Sequence, residues 1–315
     1  MPSIKISLIG LGKISKTYLE VLTQLDQVSL ISAVEPNPAV IENIPVHKNI
    51  DQLLSIGPIP DVAIICTPPS THDQIAQKLL EAGIDCLIEK PVSTTAQEAH
   101  KLLQLSNNLG RKISTSAKFR FTQGLQEAKR SIDEGMIGDL RLIKNTFSSV
   151  LQLEDDWKRN PTISGGGVWA DNGPHSLDVI ETLAGPLKKI KTTQSLHHLN
   201  HDVEDEVLVR AIHESNAESE ILLTWNRAIE APIAHCIGTE GEIIIGWNET
   251  ILKKDGAEIA IANGYEKIES FTQVIVNFLG KCSAQNIFDD HGARTLEWIE
   301  AAYRSTKSGK WETNQ

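Results

Sequence analysis

The stretch Ile6-Ser7-Leu8-Ile9-Gly10-Leu11-Gly12-Lys13-Ile14-Ser15 decides how the first part of this chain is read. A short apolar run ends in Gly-x-Gly and opens at once onto residues with helical period, which is the order strand, tight turn, helix. In that setting the glycines let a backbone approach a pyrophosphate at a helix N-terminus, where free N–H groups and the helix dipole favour an anion. Ser15 stands where a third glycine is usual, a position that sets helix-to-strand packing and accepts small side chains. Gly10, Gly12, Lys13 and Ile14 are therefore the first candidates for holding a dinucleotide.

Outward from this turn, apolar runs alternate with amphipathic stretches. Residues 28–34, 62–66, 85–88 and 113–116 read as strands too apolar to have one face in water, and 14–25, 73–82 and 94–109 read as helices, the last two closed by Gly83 and Gly110. This alternation predicts an α/β, doubly wound parallel sheet of Rossmann type over residues 1–120. Beyond it the pattern changes. A helix over 125–134 and another after Gly165-Gly166-Gly167 precede closely spaced strands at 187–193, 206–212, 220–225, 234–237 and 242–245, and helices at 270–279 and 293–305 finish the chain. Residues 121–315 are expected to form a C-terminal α+β domain with an open, mostly antiparallel sheet, devoted to substrate binding and oligomerisation.

Composition narrows the function classes. The 315 residues are 40% hydrophobic and 23% charged, with 21 glycines and 13 prolines, which excludes disordered and fibrous classes. Lys+Arg 30 against Asp+Glu 41 gives a net charge of −11, a field that repels nucleic acid and anionic membranes. No apolar run approaches the ~20 residues needed to cross a bilayer. The start, Met1-Pro2-Ser3-Ile4, lacks a basic region followed by a long apolar stretch, so a cytoplasmic location is expected. Cys66, Cys86, Cys236 and Cys282 show no C-x-x-C spacing and read as reduced, buried thiols.

Further candidates lie where ligands bind in such sheets, beyond the carboxyl ends of strands. Glu35 follows the second strand, placed to accept hydrogen bonds from both adenosine ribose hydroxyls and to repel a 2′-phosphate, which favours NAD over NADP. Thr67-Pro68-Pro69-Ser70-Thr71-His72 and Glu89-Lys90-Pro91 follow two later strands, with the proline after Lys90 keeping that residue out of helix. Asp171-Asn172-Gly173-Pro174-His175 sets a carboxylate and an imidazole four residues apart, on one face of a helix, a pair suited to moving protons. His197, His198 and His201 fit no zinc spacing, and no metal is expected.

Taken in order, Gly10-Leu11-Gly12, Thr67-Pro68-Pro69 with His72, Glu89-Lys90-Pro91, Lys118-Phe119-Arg120-Phe121, Trp157-Lys158, Gly165-Gly166-Gly167, and Asp171 through His175 followed by Asp178 resemble the Gfo/Idh/MocA family over nearly the full length. That resemblance implies a nicotinamide cofactor and carries roles over residue by residue. Lys90 becomes the lysine of the E-K-P motif, and Asp171 and His175 the D-x-x-x-H pair. Thr67, Pro68, His72, Glu89 and Lys90 would border the cofactor, while Lys90, Arg120, Trp157, Asp171 and His175 would meet substrate. Whether Lys90 or His175 accepts the proton stays open. The resemblance implies an NAD-dependent dehydrogenase acting on a sugar, inositol or related polyol, assembled as a homodimer or homotetramer through its C-terminal sheet. The alternatives are a non-catalytic sensor of the same fold, or a reductase acting on a nucleotide sugar or imine, for which Lys118, Arg120, Lys158 and Arg159 offer positive charge.

Overall fold

A computed structural model describes residues 3–151, 157–199, 202–283 and 289–314, so Met1, Pro2 and His201 lie outside the described residues. Contacts divide the chain into two compact units, Met1–Ser116 with Phe271–Ala293, and Ala117–Ser270 with Arg294–Gln315.

The first unit runs β1 (Ile4–Ile9), α1 (Ser15–Leu22), β2 (Val28–Val34), β3 (Val46–His47), α2 (Ile50–Ile56), β4 (Val62–Ile65), α3 (His72–Glu81), β5 (Asp85–Ile88), α4 (Ala96–Asn108) and β6 (Ile113–Thr115). Its six strands lie in the order β3-β2-β1-β4-β5-β6, every pair parallel. The order reverses between β1 and β4, the switch point outside which such sheets bind ligands. Ile64, Ile65, Cys86 and Leu87 are at most 1% exposed, as continuous apolar runs in a sheet covered on both faces require. The helix expected over 14–25 stops at Leu22, where the Thr23 hydroxyl donates to the Glu20 carbonyl at 2.7 Å and competes with a further helical turn. β3 and α2 were not legible in advance. α2 is one short stretch whose start is fixed by the Asn49 side chain accepting the Gln52 N–H at 2.8 Å.

The second unit contains α5 (Gln123–Asp133), β7 (Leu140–Val150), α6 (Pro161–Ser164), α7 (Val168–Ala184), β8 (Leu187–Leu196), β9 (Glu206–His213), β10 (Glu218–Thr224), β11 (Asn226–Arg227), β12 (Ala234–Gly238), β13 (Glu242–Ile245), β14 (Glu249–Lys254) and β15 (Ala257–Asn263). The helices α8 (Lys267–Ser283) and α9 (His291–Ser308) carry the chain from one unit to the other and back. The sheet order is β15-β14-β13-β12-β7-β10-β9-β8, with β11 added to the end of β7. All pairs are antiparallel except β7 with β10, so the sheet is mixed. Inward residues Ile143, Val209, Ile221, Leu223, Cys236 and Ile243 pack in one core with Trp169, Leu177 and Ile180 of α7 and Trp298 of α9. Across the sheet, Leu142, Leu208, Ile212, Leu222, Ile237, Ile244 and Ile251 are only half-buried, interleaved with Lys144, Arg210, Glu218 and Glu220. No helix among the described residues is long and apolar enough to cross a membrane.

Candidate active site

At the end of β1, Gly10 adopts φ +89° and its N–H donates to the Val34 carbonyl at 2.8 Å. A Cβ there would stand 2.8 Å from Thr67 Cγ2 and 3.1 Å from the Cys66 carbonyl carbon, so only glycine fits. A Cβ on Gly12 would meet nothing within 4 Å, which leaves its backbone open to a ligand. α1 begins without a side-chain cap and without an acidic residue in its first turn, so its leading N–H groups and dipole are available to an anion. Ser15 is 1% exposed and its hydroxyl donates to the Gly12 carbonyl at 2.6 Å, which tightens the turn. These features fit a dinucleotide pyrophosphate. Beside them lies a cavity of about 230 Å³ whose lining joins apolar Ile9, Val34 and Ile75 to charged Lys48, Asp51 and Lys78. Lys13 is exposed and Ile14 half-buried at the mouth of the turn.

Glu35 is half-buried at the end of β2, and its carboxylate is already engaged. Oε2 accepts the Leu11 N–H at 2.9 Å, while Oε1 accepts the Asn37 N–H at 3.1 Å and the Asn37 side-chain amide at 3.0 Å. A carboxylate offers about four acceptor positions, so room remains for a ribose hydroxyl. The same side chain also holds the glycine turn in shape.

His72 and Glu89, both expected to border the cofactor, prove to be buried in protein contacts. His72 is 0% exposed, with Nδ1 3.0 Å from the Pro91 carbonyl oxygen and Nε2 2.8 Å from that of Thr67. Glu89 is 9% exposed; Oε1 accepts the Tyr18 hydroxyl at 2.6 Å and Oε2 the Lys90 N–H at 3.2 Å. Lys90 itself follows β5 at the carboxyl edge, half-buried, with a cis peptide to Pro91. Thr67 is half-buried and accepts the Thr71 hydroxyl at 2.8 Å, and Pro68 lies in the same loop.

In the second unit the chemistry gathers on α7. Asp171 lies in its first turn and His175 one turn on, so the two share a face of the helix. Lys158 Nζ donates to Asp171 Oδ2 at 2.7 Å, with side chains only 26% and 14% exposed. His175 packs edge-on to Phe119 at 5.1 Å and to Phe147 at 6.3 Å between centroids. Trp247 stands against both phenylalanines and against Tyr265, and is 44% exposed. The start of α7 is fixed by Glu204, 5% exposed, which accepts the Gly167 N–H at 3.2 Å, the Trp169 N–H at 2.9 Å and the Tyr303 hydroxyl at 2.9 Å. A Cβ on Gly167 would collide with the Glu204 backbone, which is why glycine precedes this helix.

Arg120 is paired with α7: its Nε donates to Asp178 Oδ1 at 2.6 Å, and Asp178 is 1% exposed. Trp157 is 38% exposed in a short turn that also carries Lys158. In the sequence Lys158 stands out only as a motif residue and a positive charge, and Glu204 and Tyr18 do not stand out at all. Their partners are 13, 35 and 71 residues away in sequence, which no local spacing reveals. Among the described residues no group of three or more His, Cys, Asp or Glu is arranged to hold a metal ion.

The sheet order, the open glycine turn and the uncapped helix define a dinucleotide-binding fold. Residues 4–116 match "Oxidoreductase family, NAD-binding Rossmann fold", and residues 125–244 match the "GFO/IDH/MocA C-terminal domain". The chain belongs to the GFO/IDH/MocA family, and its first unit is an NAD-binding Rossmann domain. It is 30% identical over 196 residues to the uncharacterized oxidoreductase YdgJ of Escherichia coli, covering 58% of this chain and 54% of that one. It is 23% identical over 188 residues to inositol 2-dehydrogenase of Rhizobium meliloti, covering 58% and 56%. The chain thus spans about half the length of the curated relatives it matches. An oxidoreductase from Agrobacterium radiobacter, solved in complex with NAD+, L-tartaric acid and magnesium, shares the fold with a TM-score of 0.84 at 16% identity, over 98% of both chains.

Proposed function

We propose that this protein is an NAD-dependent dehydrogenase that acts on a CH–OH group of a sugar, inositol or related polyol, or on the corresponding ketone in reverse. The observation that carries this reading is the face of α7, where an aspartate held by Lys158 and a histidine walled by aromatic rings stand one turn apart. Aromatic faces such as that of Trp247 suit the apolar C–H surface of a hydroxylated ring. The relative named inositol 2-dehydrogenase supports a polyol.

Gly10, Gly12 and the start of α1 would hold the pyrophosphate and Glu35 the adenosine ribose. The bound nicotinamide supplies the hydride acceptor. His175 takes the hydroxyl proton, Lys90 stabilises the charge that develops on that oxygen, and Asp171 orients the imidazole. A screen of sugars and inositols with NAD, followed at 340 nm, tests the substrate class. In the active pair, Lys90→Met and His175→Ala should each lower kcat by a factor of ~100 to 1,000 while NAD affinity stays nearly intact. A variant that keeps full kcat, or one whose lost activity merely follows lost NAD affinity, removes that residue from the reaction.

A further inference from the structure

Three buried polar side chains in the first unit have no part in the reaction just described, and all three converge on one peptide segment. Tyr18 of α1 is 0% exposed; its hydroxyl donates to Glu89 at 2.6 Å and lies 2.8 Å from the Ser116 hydroxyl. Glu89 in turn accepts the N–H of Lys90. On the other side of Lys90, the Pro91 carbonyl faces the His72 ring, whose second nitrogen faces the Thr67 carbonyl.

We infer that Tyr18 and His72 are positioning residues that clamp the backbone on both sides of Lys90 and so set where its amine stands relative to the cofactor turn. The inference rests on the reading of Lys90 as a group that acts on substrate. Polar side chains with no exposed surface are costly to bury unless their hydrogen bonds are made, and here the bonds tie three separate elements together. Tyr18 belongs to the helix that opens at the glycine turn, Thr67 to the loop after β4, and Lys90 to the loop after β5. Burial pushes the His72 ring toward its neutral form, against the backbone at Thr67, Pro91 and Val92, which favours the charged one. Burial and the Glu89 carboxylate raise Tyr18 well above its ordinary value, so its hydroxyl keeps the proton it donates.

Tyr18→Phe removes a single oxygen, and His72→Gln puts its N–H donors on one nitrogen, which cannot span both carbonyls. In each variant the lysines are labelled by reductive methylation with ¹³C-formaldehyde, and the Lys90 resonance, assigned by its loss in Lys90→Arg, is recorded by NMR at one pH beside kcat and melting temperature. The Lys90 resonance should move from its wild-type position and kcat should fall about tenfold, with folding retained. A folded variant with an unmoved Lys90 resonance overturns the clamp, whatever happens to kcat. If His72→Gln does not fold, Tyr18→Phe alone decides. A moved resonance with unchanged kcat supports the clamp and instead removes Lys90 from the reaction.

Discussion

Lys158 donates to Asp171 at 2.7 Å, so the acid that shares a helix face with His175 is held from outside its helix by a cation in a short turn. Both side chains are largely shielded, which makes the pair stronger than an exposed one. Lys158→Ala should lower kcat about tenfold, as expected for losing a charge-assisted hydrogen bond of ~1.5 kcal/mol, while Lys158→Arg keeps most activity. Steady-state kinetics on both variants check this, and full activity in Lys158→Ala would make the pair an ordinary surface contact.

Glu35 serves the glycine turn through Leu11 as well as any ribose. Glu35→Ala should therefore weaken NAD binding about tenfold and also narrow the preference of NAD over NADP. Fluorescence titration with both cofactors separates the two effects. An unchanged NAD to NADP ratio would confine Glu35 to holding the turn.

Asp73 and Glu98 meet where α3 and α4 begin. Burial pushes the Asp73 carboxyl up to about 6, and its Oδ1 is buried without a hydrogen-bond partner. Burial also opposes ionisation of Glu98, but the hydroxyls of Thr94, Thr95 and Ser93 outweigh it and hold Glu98 below its usual value. For Asp73 the folded chain binds its proton more tightly than the unfolded one, so that stabilisation is complete below the ordinary value of 3.8 and is lost as pH rises through about 6. Asp73→Asn should raise the melting temperature by about 2 °C at pH 8 and change it little at pH 4. Calorimetry at the two pH values would show an equal shift if the carboxyl titrates normally.

From the half-buried apolar residues on the face of the second unit's sheet opposite Ile143 and Ile221 we predict self-association through that face. Leu222, paired with Leu208 on β9 and Thr146 on β7, sits in the middle of that face. We expect the wild type to sediment as a dimer or tetramer of its 34.6 kDa chain, and Leu222→Arg to dissociate it. A monomeric wild type at micromolar concentration would contradict this.

Much of the first unit was legible because strands buried on both faces must be written as unbroken apolar runs, as Val62 to Ile65 are. β7 escaped notice for the opposite reason. Its 11 residues mix Arg141, Lys144 and Asn145 with apolar ones, and the buried Asn145 finds a partner for its amide N–H only at the distant Ile233 carbonyl, 2.7 Å away. β14 and β15 lie at the sheet edge, where half-exposed residues leave a weak pattern. The motif residues Lys90, Asp171 and His175 were visible, but their supports were not. Glu204, Asp205 and Glu206 are three consecutive acids, yet all are at most 5% exposed. Each has a distant partner: Trp169 and Tyr303 for Glu204, Asn226 for Asp205, Arg227 for Glu206. Only the folded chain brings such pairs together.

The first unit closes with residues made late in synthesis. The Tyr18 ring packs edge-on against Phe271 at 5.1 Å, and the Ser114 hydroxyl donates to Asp289 at 2.5 Å. A ribosome adding roughly 5 to 20 residues per second takes on the order of ten seconds or more to travel from Ser116 to Phe271. During that wait the nascent sheet exposes the surface that Phe271–Ala293 will cover. Early folding of the amino-terminal half is therefore an unfinished and sticky state, and chaperone demand in the cell should peak before the last helix emerges.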